Sequence, residues 1–69
     1  MPRIIWSNPG NPPRGIATRL GITRRQLSRA IHKIKDYAGL APRDQVTMWD
    51  DGSVTDENNV PLGNIQDEI

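Results

Sequence analysis

The sequence has no cysteine, so neither a disulfide nor a thiolate zinc site can brace it. His32 is the single histidine, too little for a histidine-based metal cluster, and neither metal nor cofactor is expected. Phenylalanine is absent, and the longest apolar run is Ile4-Ile5-Trp6. That run is too short for a signal peptide or a membrane span, so a cytoplasmic location away from the membrane is expected. No repeat and no low-complexity segment is visible. A chain of 69 residues is expected to make one domain over 1–69. At that size only about 60% of the unfolded surface is buried, so the core must be thin.

Charge is present but unevenly placed. Residues 1–36 carry eight basic side chains against Asp36, a balance of +7. Residues 37–69 carry Arg43 against seven carboxylates, a balance of −6. A basic half suits polyanions, and an acidic half repels them or covers a basic neighbour. Both halves are equally compatible with plain solvated surface.

Residues 1–13 read as a strand through Ile4-Ile5-Trp6 followed by a Pro-rich loop, SNPGNPP. Asn11 is placed to cap a first helix from about Pro13 to Leu20, with Pro12 or Pro13 in its first turn. Gly21 stands where a left-handed residue closes that helix. Thr23 opens a second helix, with Gln26 three residues later completing a capping box and Ile22 and Leu27 placed as a hydrophobic staple. Leu27, Ala30, Ile31, Ile34 and Ala38 follow helical spacing and predict a core-facing stripe. Arg25, Arg29, His32 and Asp36 fall on the opposite side with Lys33 beside them. Arg24 and Arg25 oppose the helix dipole, which points to a role other than stability. Gly39 ends the helix.

From residue 45 to 66 the period changes from 3.6 to 2. Val46 and Met48 alternate with Thr47 and Trp49, Asp50-Asp51-Gly52 reads as a hairpin turn, and Ser53-Val54-Thr55 returns. Pro61 demotes the last strand, around Val60, Leu62 and Ile65, to an edge or bulged one. Gln66 to Ile69 are expected to fray. The order predicts an α+β fold of two helices packed on a small antiparallel sheet of three or four strands.

Three constellations bear on chemistry. Residues 13–39 have the spacing of a helix–turn–helix, clearest in 16–35, with Ala17 at the helix crossing, Gly21 in the turn and Leu27 and Ala30 locking the pair. Arg24, Arg25, Ser28, Arg29, His32 and Lys33 would then face a major groove. The acidic tip Asp50-Asp51-Gly52 is unsuited to a phosphate-contacting wing. His32 with Arg25, Arg29, Lys33 and Lys35 forms the second. Cleavage by 2′-hydroxyl attack needs a group that takes a proton, a group that returns one, and cations for the phosphorane charge. His32 and Arg29 are the candidate catalytic residues, and Arg24, Arg25, Ser28, Arg29, Lys33 and Lys35 the candidate nucleic-acid-binding set. The third is the carboxylate set Asp44, Asp50, Asp51, Asp56 and Glu57. It lacks the alternating ligands and closing glutamate of a calcium loop, and its members read as turn residues.

The run LGITRRQLSRAIHKIKDYAGL and then VTMWDDGSVTDENNVPLGNI resembles a C-terminal module of bacterial polymorphic toxins of the Rhs type. The likeness lies in Ile31, His32, Ile34 and Lys35, in Asp51-Gly52 with Val54, and in Leu62-Gly63-Asn64-Ile65. It covers roughly residues 15–68. The resemblance implies the colicin/RelE-like ribonuclease group: helices on an antiparallel sheet, RNA as substrate, and an acidic immunity-type protein as partner. No basic residue follows Arg43, whereas sheet-borne cations are common in such nucleases. The expectation is a small nucleic-acid-interacting domain, RNA before DNA, of the ribonuclease-toxin type without metal. A DNA-binding helix–turn–helix domain and a protein-interaction module without catalysis are the alternatives.

Overall fold

The computed structural model describes residues 2–8 and 12–69, with backbone alone at Asn8. Its order is strand β1 (Ile4–Asn8), helix α1 (Arg14–Leu20), helix α2 (Arg24–Tyr37), strands β2 (Val46–Trp49), β3 (Ser53–Thr55) and β4 (Pro61–Asn64), then a 3-10 helix (Ile65–Glu68). The fold is α+β, as expected, with four antiparallel strands in the sheet order β1-β2-β3-β4.

Local chemistry accounts for most of the boundaries. The Thr23 hydroxyl accepts from the Gln26 N–H at 3.1 Å, and the Gln26 side chain accepts from the Thr23 N–H at 2.9 Å, which is the expected capping box. Both helices close with the same pair of backbone bonds. Ile22 N–H donates to the Ala17 carbonyl and Gly21 N–H to that of Thr18; Leu40 N–H donates to Lys35 and Gly39 N–H to Asp36. Gly21 and Gly39 each sit at φ 73°, the left-handed conformation that this closure requires.

The start of α1 departs from expectation. Pro13 is the N-cap residue, extended at ψ 161°, with no side-chain cap, and neither proline enters the first turn. Asn11, the expected cap, lies outside the described residues. The double proline explains the absence of Pro12 from that turn, because Pro13 holds it out of the helical region; the first bond runs from Ile16 N–H to the Pro13 carbonyl.

A single buried cluster joins the elements. Ala17 comes from α1, Leu27, Ala30, Ile31 and Ile34 from α2, Val46 and Met48 from β2, Val54 from β3, and Ile65 from the 3-10 helix. Ala38, expected in the stripe, is exposed. The helix has already turned at Gly39, and Leu40 packs against the cluster instead. In β2 the alternation is as read, with Val46 and Met48 fully buried and Thr47 and Trp49 half-buried. Register pairs Thr47 with Thr55 and Met48 with Val54, so one face of the sheet is apolar and the other carries threonine, serine and Trp49.

Pro61 opens β4 at the sheet edge, and a register irregularity lies across from it between Val54 and Thr55. Gln66 to Glu68, expected to fray with Ile69, lie in the 3-10 helix instead. Asn64 Oδ1 accepts from Gln66 N–H at 2.8 Å, Ile65 N–H donates to the Gly52 carbonyl at 2.8 Å, and Ile65 is fully buried. That apolar anchor and the Asn64 cap stabilise a turn that composition alone leaves open.

Candidate nucleic-acid interface

The geometry of α2 sorts its polar residues into rows four residues apart. Arg24, Ser28, His32 and Asp36 form one row; Arg25, Arg29, Lys33 and Tyr37 form the next. Ser28 is half-buried, and every other member of the two rows is exposed. The opposite side of the helix is the core row Leu27, Ile31 and Ile34. The two rows thus present three arginines, Lys33 and His32 along one solvent-facing strip, with Asp36 its only carboxylate.

Lys35 is placed apart from that strip. It follows Leu27 and Ile31 at intervals of four, on the core side, and is 3% exposed. Its ammonium donates to the Pro42 carbonyl at 2.7 Å, which ties the loop after α2 back to the helix. Burial pushes the Lys35 pKa down from its ordinary value, and the nearby Asp44 carboxylate opposes this less strongly. The spacing was a readable signal: a lysine in phase with two core residues must either snorkel or find a buried acceptor.

His32 opens on a cavity of about 360 Å³ that it lines with Lys33, Lys35, Asp36, Leu40 and Pro42. Arg29 does not reach it. Arg29 lines a smaller depression of about 170 Å³ with Gln26, Lys33, Glu68 and Ile69. The two candidate catalytic residues therefore share a helix face but not a cavity, and Lys33 borders both.

Sequence patterning did not single out two further features. Tyr37 is 73% exposed and continues the Arg25–Arg29–Lys33 row, so an aromatic ring stands at the end of the basic strip. Its spacing of four from Lys33 was the available signal. A larger cavity, about 440 Å³, lies elsewhere, with Pro2, Trp49, Thr55, Pro61 and Asn64 among its lining residues. Two of these are joined, Trp49 Nε1–H donating to Thr55 Oγ1 at 3.0 Å. An aromatic residue out of phase with the buried Met48 marked that sheet face.

The carboxylates close turns. Asp44 Oδ2 accepts from Ala41 N–H at 2.8 Å, Asp51 Oδ1 from Ser53 N–H at 2.9 Å, and Asp56 Oδ1 from Asn58 and Val60 N–H at 2.8 and 2.9 Å. The Ser53 bonds hold the Asp51 carboxyl below its ordinary pKa. Among the described residues no three histidine, aspartate or glutamate side chains converge as metal ligands, and no helix is long and apolar enough to cross a membrane. No protein-family model, curated protein or solved structure matches the chain.

Proposed function

We propose that this chain is a small RNA-binding domain of the ribonuclease-toxin type, its two helices laid over the apolar face of the sheet and the outer face of α2 turned to RNA. One observation carries the reading: Arg24, Arg25, Arg29, His32 and Lys33 are all exposed on adjacent rows of one helix. Phosphates are neutralised by such a strip through guanidinium forks and the Lys33 ammonium, with a steep dependence on salt. The exposed Tyr37 ring at its end favours RNA over duplex DNA, because unpaired bases stack on aromatic side chains and duplex edges do not.

Cleavage in this reading needs no metal. His32 accepts the proton of a 2′-hydroxyl as that oxygen attacks the adjacent phosphorus. Lys33, which borders the His32 cavity, offsets the charge that builds on the phosphoryl oxygens, and Arg29 holds the neighbouring phosphate in place. The protonated imidazole then returns a proton to the departing 5′-oxygen, leaving a 2′,3′-cyclic phosphate and a 5′-hydroxyl. An acidic protein of the immunity type is the partner whose charge complements the strip.

Incubating the purified protein with tRNA or mRNA in the presence of a chelator tests the proposal. Loss of RNA that disappears in His32→Ala or Arg29→Ala supports it, whereas RNA that stays intact and unbound at high protein concentration sinks it. The DNA-binding reading draws support from the left-handed Gly21 turn and from Ala17, the buried residue of α1, which is 2% exposed. It requires duplex binding that weakens with salt and with Arg25→Ala, and a duplex titration that leaves the α2 resonances unmoved removes it.

A further inference from the structure

The cavity beside His32 is lined by a buried cation. Lys35 is 3% exposed and lies among the core-facing residues of α2. Its single hydrogen bond, to the Pro42 carbonyl at 2.7 Å, uses one of three ammonium donors. As a strut between helix and loop, a neutral donor such as glutamine would serve without the cost of burying a cation. Burial lowers the Lys35 pKa more than Asp44 raises it, so the ammonium is undercompensated where it sits. The Asp44 carboxylate is itself engaged by the Ala41 N–H at 2.8 Å.

We infer that the cavity lined by His32, Lys33, Lys35, Asp36, Leu40 and Pro42 seats one phosphate group of the RNA, with the Lys35 ammonium as its buried cationic donor. The inference rests on the reading of the outer face of α2 as an RNA surface, and it assigns the phosphate subsite within that surface. The volume, about 360 Å³, lies at the small end of ligand pockets and suits a single nucleotide phosphate rather than a whole duplex turn. An anion placed there meets Lys33 and Lys35 and lies against the imidazole of His32.

Two features oppose an anion at this point, and both are partly offset. The C-terminal end of α2 is the negative end of its dipole, but the carbonyls of Ile34, Lys35 and Asp36 are already satisfied by the N–H groups of Ala38, Leu40 and Gly39. Asp36 is the one carboxylate in the wall, against two lysines and the imidazole. The cavity also separates two jobs. Arg29, outside it, holds a neighbouring phosphate, while Lys35 holds the one that His32 can reach.

The test is an NMR titration of the intact protein, first with inorganic phosphate and then with oligouridylate, following backbone amides and the His32 ring. In the wild-type protein, saturating phosphate-induced shifts are expected, centred on His32, Lys35 and residues 40–43. Lys35→Met should weaken phosphate binding by about tenfold or more, as loss of a charge-assisted hydrogen bond implies, and Lys35→Arg should restore part of it. A purely structural Lys35 would instead lower the melting temperature of Lys35→Met while the folded variant bound phosphate as before, which overturns the inference. If Lys35→Met does not fold, the wild-type map decides alone: shifts absent from the cavity overturn it. RNA shifts confined to Arg24, Arg25 and Arg29 leave the RNA reading standing and remove the subsite. Phosphate seated in the cavity without RNA binding supports the subsite and removes the RNA reading.

Discussion

Gly52 stands where the β2–β3 turn meets the C-terminal 3-10 helix. Its φ is 91°, and a Cβ built there would lie 2.8 Å from Asn64 Oδ1. That oxygen cannot step aside freely, because it accepts the Gln66 N–H at 2.8 Å. Gly52→Ala is therefore expected to cost about 1–3 kcal/mol, read from urea unfolding followed by tryptophan fluorescence; an unchanged midpoint would contradict the packing described. Two titrations belong to the same scale. Asp51 has a lowered pKa in the fold, so the unfolded chain binds more protons as pH falls through the ordinary value of 3.8, and stability present above that pH is lost below it. Asp51→Asn keeps an acceptor for Ser53 N–H and should flatten that acid limb. Lys35 also has a lowered pKa, but here the charged form is the one disfavoured. Stability therefore rises with pH between its folded value and the ordinary 10.5, and Lys35→Met should remove that rise. Alkaline limbs that superimpose would contradict the burial argument.

The elements differ in how far the sequence discloses them. Helix α2 was legible from end to end because its signals are local: Thr23 and Gln26 cap it, four apolar residues repeat at helical spacing, and Gly39 closes it. Thr23→Ala should lower stability by about 1 kcal/mol, visible as a fall in melting temperature of about 4–8 °C. No change in melting temperature would mean that the capping bonds at 2.9 and 3.1 Å contribute nothing in solution. The strands β2 and β3 and the edge position of β4 were legible for the same reason, through alternation, the Gly52 turn and Pro61. What was not legible depends on partners distant in sequence. Ile65 is buried through its place in the core cluster, and its N–H finds the Gly52 carbonyl, so the final turn holds although its own residues are polar. Lys35 reads in the sequence as one more cation on a basic helix; its place in the Leu27–Ile31 row, and the Pro42 carbonyl that receives it, put it inside. Tyr37 is the element-scale prediction for binding. Removing its ring in Tyr37→Ala should weaken single-stranded RNA by about 1–3 kcal/mol with little effect on folding, since the side chain is 73% exposed.

At the scale of the whole molecule, nine buried apolar residues among those described come from both helices, from β2 and β3 and from the 3-10 helix, while β1 and β4 add only partly buried Ile5, Trp6 and Leu62. The radius of gyration, 10.5 Å, is close to the roughly 11 Å expected of a folded chain of this length. The positive charge is concentrated before residue 37 and the negative charge after it, and the fold uses several of the carboxylates in turns. Among the described residues the arginines of α2 close no turn of this kind, and Arg24 and Arg25 stand in its first turn against the helix dipole. A stability cost without a structural return is what a binding surface leaves behind, and it is the strongest reason to look for a polyanion on that face. The sequence pointed to this strip with Lys35 counted on it and Tyr37 left out, and not to its division into an Arg29 depression and a separate His32 cavity. That division depends on the loop after Gly39 folding back over the end of the helix.

The central claim, an RNA-cleaving surface on the outer face of α2, is tested most directly by tRNA breakdown in chelator by wild-type protein and by His32→Ala in parallel. Fragments ending in 2′,3′-cyclic phosphate are expected from the wild-type protein and intact tRNA from the folded variant. Intact tRNA in both reactions, or equal cleavage by both, would contradict the claim.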